Sequence, residues 1–158
     1  MRLALFDIDG VLANDTHRVH HALAWRWTEY FKPETVAADP VWEQGRAAIA
    51  AEQEAGACIA YLTGRREDLR PVTAQWLEEK MFPNGVLFMR PMNVHKPLAI
   101  LKAEIIGSLI DSGQYVSVVL YDDDPEVVRV ARSRFGEDVA VHCTWHVKQK
   151  ALIRKATA

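Results

Sequence analysis

Leu3-Ala4-Leu5-Phe6-Asp7-Ile8-Asp9-Gly10-Val11-Leu12 is the stretch from which the rest of the chain is best read. An apolar run rises to Phe6, two carboxylates follow one residue apart, and a glycine comes next. In an extended strand alternate side chains share a face, so Asp7 and Asp9 are expected to point into one small volume at the strand end. Carboxylates that close repel each other unless a cation or a proton sits between them. Gly10 lets the backbone turn sharply or approach a ligand closely. A buried strand that ends in paired acids is costly for stability alone, so the pair is read as a site for chemistry.

Working outward, the length of 158 residues suits one domain with its own core. Hydrophobic residues make up 49% and charged residues 25%, the balance of an ordinary globular protein. A net charge of -2 argues against a surface given over to nucleic acid, while leaving room for a local basic patch. Cys58 and Cys143 form no C-x-x-C pair, so neither a disulfide framework nor a zinc site is expected and a reducing, cytoplasmic setting is the default. No signal peptide and no membrane span is expected.

Along the chain, apolar strands are expected at 2–8, 57–62, 86–89, 116–121 and 139–142. Between them lie helical segments. Residues 13–32 read as one helix with Thr16 as its N-cap and Pro33 as its stop, followed by a loop through Asp39. Asp39-Pro40 reads as the N-cap and first turn of the next helix, closed by Gly56. Leu69, Val72 and Trp76 share a helical face, as do Leu98, Leu101, Ile105 and Leu109. Short strands alternating with helices indicate an α/β fold: a three-layer, Rossmann-like parallel sheet of about five strands. In such sheets the functional groups gather at the carboxyl ends of the strands. Those ends carry Asp7 and Asp9, then Thr63-Gly64-Arg65, then Asp122-Asp123-Asp124.

Asp7, Asp9, Asp122 and Asp123 form a set of hard oxygen donors with no histidine or cysteine among them, which selects Mg²⁺ over zinc. Thr63 and an ammonium group, from Lys96 or Lys102, would suit a phosphoryl group beside that metal. Carboxylate attack on phosphorus gives an aspartyl phosphate, and a second acid can serve the leaving oxygen and then water.

These strand ends resemble, in order, the motifs of the haloacid dehalogenase (HAD) superfamily of phosphotransferases. Asp7-Ile8-Asp9-Gly10-Val11 is similar to its first motif, Leu62-Thr63-Gly64-Arg65 to its second, and Asp122-Asp123 to its fourth. The resemblance implies that Asp7 is the nucleophile, Asp9 the acid/base, Thr63 the phosphate-binding hydroxyl, and Asp122 and Asp123 the remaining metal carboxylates. It implies the strand order 5-4-1-2-3 and a small cap inserted at about 13–39. The third-motif lysine is Lys96, if a Lys-Pro dipeptide carries it, or Lys102. A narrower likeness favours Lys102: Arg65, Met89-Arg90-Pro91, Ile100-Leu101-Lys102-Ala103-Glu104 and Tyr121-Asp122-Asp123 resemble the phosphatase domain of phage polynucleotide kinase and related small phage-type phosphatases. No G-x-x-x-x-G-K-[ST] stretch is present, so no kinase half is expected within this chain.

Gly64, Arg65, Arg90 and Lys96 are the expected substrate contacts, arginine forks being suited to phosphate oxygens. His17, His20 and His21 are read as packing residues rather than ligands. Trp25, Trp27, Tyr30 and Phe31 are expected mainly to bury themselves, with base stacking as the alternative. The basic tail from Lys148 is read as solvated. The expected function is a Mg²⁺-dependent phosphatase acting on a 3′-phosphorylated nucleic-acid end, with a 5′-nucleotidase or other small-molecule phosphatase as runner-up. No obligate protein partner is evident. A receiver-like signalling module is disfavoured because the third strand ends in Met89-Arg90 rather than an aspartate. A phosphate-binding member without catalysis has no residue loss to support it.

Overall fold

The computed structural model describes residues 1–146. Five parallel strands form one sheet: β1 (Arg2–Phe6), β2 (Cys58–Arg66), β3 (Leu87–Arg90), β4 (Ser117–Asp122) and β5 (Ala140–His142). Their spatial order is β3-β2-β1-β4-β5, the expected order read from the opposite edge. β1 is central. Phe6 lies beside Tyr61 of β2 on one side and Tyr121 of β4 on the other.

The continuous apolar run of β1 is explained by burial on both faces. Leu3 and Leu5 join Ala60, Leu62, Val118 and Leu120 against α6 (Leu98–Asp111) and α7 (Pro125–Phe135). Ala4 and Phe6 turn the other way, with Ile59, Tyr61 and Val119, toward α4 (Glu43–Glu54) and α5 (Arg70–Glu79). Helices therefore cover the sheet front and back. Each large apolar side chain so buried contributes about 1.5–3 kcal/mol before its ordering cost. Cys58 and Cys143 are free thiols, as the separation of β2 from β5 requires. Among the described residues no helix is long and apolar enough to cross a membrane.

The segment between β1 and α4 departs from expectation. In place of one helix it forms α1 (Val19–Leu23), α2 (Trp27–Tyr30) and α3 (Pro33–Ala37). Pro33 starts a helix instead of ending one, because its missing N–H is not needed in a first turn. Trp25 adopts φ 58° and breaks the chain between α1 and α2. Thr16 caps nothing: its N–H and hydroxyl both turn to Asn14 Oδ1, at 3.2 and 2.6 Å. Asp39 is not the cap of α4 either. Trp42 holds that position, and the Asp39 carboxylate is fully buried among arginines. α6 also turns differently from its predicted stripe. Ala99, Leu101, Lys102, Ala103 and Ile106 are its buried residues, so a lysine faces the interior.

Candidate active site

β1 and β4 are neighbours, and both run into carboxylates. The Asp7 N–H donates to Tyr121 O at 2.9 Å, which carries the pairing one residue beyond β1. Asp7, Asp122 and Asp123 can each offer an oxygen within 4.8 Å of the others. Gly10 makes the cradle possible. Its φ is +83°, and a Cβ there would fall 2.4 Å from Asp123 Oδ2, so any other residue would collide with that carboxylate. On the far side His146 Nε2 lies 3.2 Å from Asp123 Oδ2. The Asp124 N–H donates to Asp122 Oδ1 at 2.9 Å, while the Asp124 side chain caps α7.

Lys102 reaches this cluster from α6. Its ammonium donates to Asp122 Oδ2 at 2.6 Å and lies 3.1 Å from Asp7 Oδ1, with 1% of the side chain exposed. Burial pushes the Asp7 carboxyl up to about 7, with Lys102 opposing and the Asp122 and Asp9 charges adding to the rise. Asp122 is raised by burial as well, again with Lys102 opposing. Burial would lower the lysine, but Asp122 and Asp7 outweigh it and hold the ammonium charged. Two buried acids, Asp7 and Asp122, share the single Lys102 ammonium, and the half-buried Asp123 beside them adds a third carboxylate, with the His146 ring at its side. An all-oxygen set of that kind fits a hard divalent cation, and a proton is another way to relieve the repulsion.

Asp9 belongs to a second cluster. Its carboxylate lies apart from the oxygens that Asp7, Asp122 and Asp123 bring together among the described residues. β1 stops at Phe6 and the chain turns through Gly10, so strict strand alternation no longer governs where Asp9 points. It accepts two hydrogen bonds from Arg65, from Nε at 3.0 Å and from Nη2 at 2.7 Å, and a further contact from Arg18 Nη2. Arg18 Nε also donates to Asp39 Oδ1 at 2.8 Å, and Arg65 Nη2 lies 3.3 Å from Asp39 Oδ2. Two carboxylates thus face two guanidiniums. Burial would raise Asp9, but Arg65 and Arg18 outweigh it and hold the carboxyl well below the usual carboxylate range. The Arg18 guanidinium lies 4.3 Å over the Tyr30 ring, and the Tyr30 hydroxyl donates to Asp15 Oδ2 at 2.6 Å.

The expected substrate contacts do not converge. Thr63 and Arg65 share a face of β2, and Thr63 is buried with its hydroxyl oxygen accepting from the Arg65 N–H at 3.2 Å. Arg65 is 1% exposed, and its donors are spent on Asp9, Asp39 and Thr73, so it points inward and not at the mouth. Gly64 lies against Leu98. Arg90 ends β3 and ties the following loop, donating to Lys96 O at 2.8 Å and Val94 O at 3.2 Å. Lys96 is exposed and pairs with Glu104 at 2.7 Å, whereas Lys102 touches Asp7. Arg18 and Asp39 are the buried residues that sequence reading missed. They are 21 positions apart, and Asp39-Pro40 carries the local signature of a helix cap, so no short-range signal separated them from surface residues. The basic tail lies outside the described residues.

The sequence matches the family described as "Polynucleotide kinase PNKP phosphatase domain" over residues 1–143. A search of curated proteins found no match. Among solved structures, a chain of the Pnkp1/Rnl/Hen1 complex is similar at TM-score 0.73 and 22% identity, covering 90% of this chain and 45% of that one. The class C acid phosphatase from Bacillus anthracis with tungstate bound is similar at TM-score 0.58 and 16% identity, covering 89% and 66%. A hydrolase from Streptococcus pneumoniae TIGR4 gives 0.57 and 14%, covering 96% and 97%. These identities speak to fold alone. This chain spans less than half the length of the Pnkp1-complex chain it matches. With the family match covering nearly the whole chain, the protein belongs to the polynucleotide kinase PNKP phosphatase-domain family and is a phosphatase of the HAD type.

Proposed function

We propose that this chain is a Mg²⁺-dependent phosphomonoester hydrolase that works through phospho-Asp7 and removes the 3′-phosphate from polynucleotide ends. The observation that carries the chemistry is the position of the Lys102 ammonium between Asp7 and Asp122, with Asp123 alongside. An Asp7 oxygen attacks phosphorus, the P–O bond to the leaving alcohol breaks, and the leaving oxygen takes up the proton that Asp9 gained from water in the preceding turnover. Water then attacks phospho-Asp7, loses a proton to Asp9, and releases inorganic phosphate. Mg²⁺ held by Asp7, Asp122 and Asp123 would neutralise phosphoryl charge and keep those acids ionised. Lys102 holds Asp7 in place and adds positive charge at the transferring group. Thr63 supplies a hydroxyl beside it. Arg65 and Arg18 hold Asp9 ionised, which suits it to accept the proton of water.

Three features favour the polynucleotide substrate: the family to which the chain belongs, the small size of the insertion at about 13–39, and the aromatic side chains within it. A cap that short leaves room at the mouth for a phosphate on a long chain. We place the enzyme in the cytoplasm with no obligate protein partner. The test compares kcat/KM with Mg²⁺ for a 3′-phosphorylated oligonucleotide and for a 5′-mononucleotide at two salt concentrations. Preference for the oligonucleotide, weakened by salt, is expected. Preference for the mononucleotide with no salt effect would leave a nucleotidase.

A further inference from the structure

We infer that Trp25 and Trp27 form a stacking platform for an unpaired nucleobase at the phosphate-bearing end of the substrate. The inference rests on the 3′-end reading above and adds to it the residues that would recognise the end.

The four aromatics of the insertion differ in exposure, and Phe31 is half-buried, stacked on Trp27 with ring centroids 6.2 Å apart. Tyr30 is buried at 7% exposure and works inside, under Arg18. Trp25 is left in water at 81% exposure, and Trp27, backed by Phe31, keeps 47% of its surface open. Large indoles are seldom left so open without a partner to cover them. Trp25 also holds φ at 58°, a left-handed conformation that bulky residues rarely adopt, and gains no burial in return. The two rings meet edge to face, with centroids 6.2 Å apart and planes at 85°.

The patch leads to the reacting groups. Trp27 packs edge-on to Tyr30 at 5.8 Å, Tyr30 lies 4.3 Å under the Arg18 guanidinium, and Arg18 touches Asp9. These contacts run through the buried Tyr30 and Arg18, so packed side chains tie the position of the indoles to that of the acid/base candidate. Arg26 is exposed between the two tryptophans. Aromatic faces beside an arginine are the chemistry that holds single-stranded nucleic acid, because every base has a face to stack and every link has a negative charge. The size of the patch fits a base better than a protein. Two indoles present at most about 500 Å², against roughly 800 Å² per partner in a stable protein contact.

The test uses the full chain with Mg²⁺ and compares the parent with Trp25→Ala, Trp27→Ala and the double variant. Substrates are a 3′-phosphorylated oligonucleotide, the same oligonucleotide with an abasic terminal residue, and p-nitrophenyl phosphate. The double variant is expected to raise KM for the intact oligonucleotide about tenfold or more, the scale of one lost base–aromatic stack. Its kinetics with p-nitrophenyl phosphate are expected to be unchanged. The abasic substrate should raise KM in the parent and add little in the double variant. An unchanged KM for the intact oligonucleotide, or an equal loss on p-nitrophenyl phosphate, overturns the platform. So does a change in sedimentation mass of the free variants, which would make the patch a contact between copies. If the parent prefers a mononucleotide and ignores the oligonucleotide, the 3′-end reading itself fails and the platform falls with it.

Discussion

Arg65 grips Asp9 with two near-parallel hydrogen bonds, Nε to Oδ2 at 3.0 Å and Nη2 to Oδ1 at 2.7 Å; the arginine is fully buried and the carboxylate keeps 16% of its side chain open. A fork of that kind sets the direction of a carboxylate as well as its charge. Lysine keeps the charge and loses the fork. Arg65→Lys is therefore expected to lower kcat by about 10²-fold, the scale of a small misplacement of a reacting group. Steady-state kinetics with p-nitrophenyl phosphate check this; parent-like turnover would mean that Arg18 alone positions Asp9.

Asp7 and Asp9 are expected to fail differently. Asp7→Asn keeps the shape and removes the nucleophile, so no phospho-enzyme should form and no turnover should be seen. Asp9→Asn leaves attack possible on a substrate whose leaving group needs no proton. With p-nitrophenyl phosphate it should give a burst of product followed by a steady rate about 10²–10⁴-fold below the parent. Rapid-quench kinetics separate the two. A burst from Asp7→Asn would remove Asp7 from its assigned role.

Lys102 and Lys96 offer a sharp contrast. Lys102→Met leaves Asp7 and Asp122 buried without their ammonium, and breaking a buried pair from one side costs about 3–5 kcal/mol. The variant should be inactive, should melt well below the parent without metal, and should regain part of that loss with excess Mg²⁺. Lys96→Ala removes an exposed pair with Glu104 and should shift stability by no more than about 0.5 kcal/mol. Thermal melts and activity assays on both variants decide the matter; a dead Lys96→Ala would reverse the assignment of the site lysine.

The raised Asp7 carboxyl sets a pH dependence. In the metal-free chain burial first, then the Asp122 and Asp9 charges, lift it to about 7 against the pull of Lys102. The folded state thus holds a proton that the unfolded chain gives up at ordinary carboxylate pH. Between that range and about pH 7 the stability of the metal-free chain should fall as pH rises, and then level off. A divalent cation must displace that proton. Its apparent affinity should therefore climb with pH up to about 7 and flatten above. Calorimetric titration with Mg²⁺ in buffers of different protonation enthalpy reads the proton released; a pH-independent affinity from 5 to 8 would contradict the shift.

Short-range pattern is enough for much of this protein. The apolar runs at Leu3–Phe6 and Val118–Leu120 need only a sheet covered on both faces, and the helices between them make that sheet parallel. Carboxylates at the ends of β1 and β4 then meet because those strands pair, so Asp7, Asp122 and Asp123 are legible before any coordinates are known. The choice between Lys96 and Lys102 is not made by local pattern. It depends on the rotation of α6 about its axis, which the packing of Ala99, Ala103 and Ile106 sets and which carries Lys102 inward. The surroundings of Asp9 are a tertiary matter too. Arg18, Asp39 and Arg65 come from three separate segments: Asp39 reads locally as a cap, Arg65 as a substrate contact, and nothing local marks Arg18 as buried. They are buried because only one another's charges repay the loss of water, and that condition exists only once the chain has brought them together.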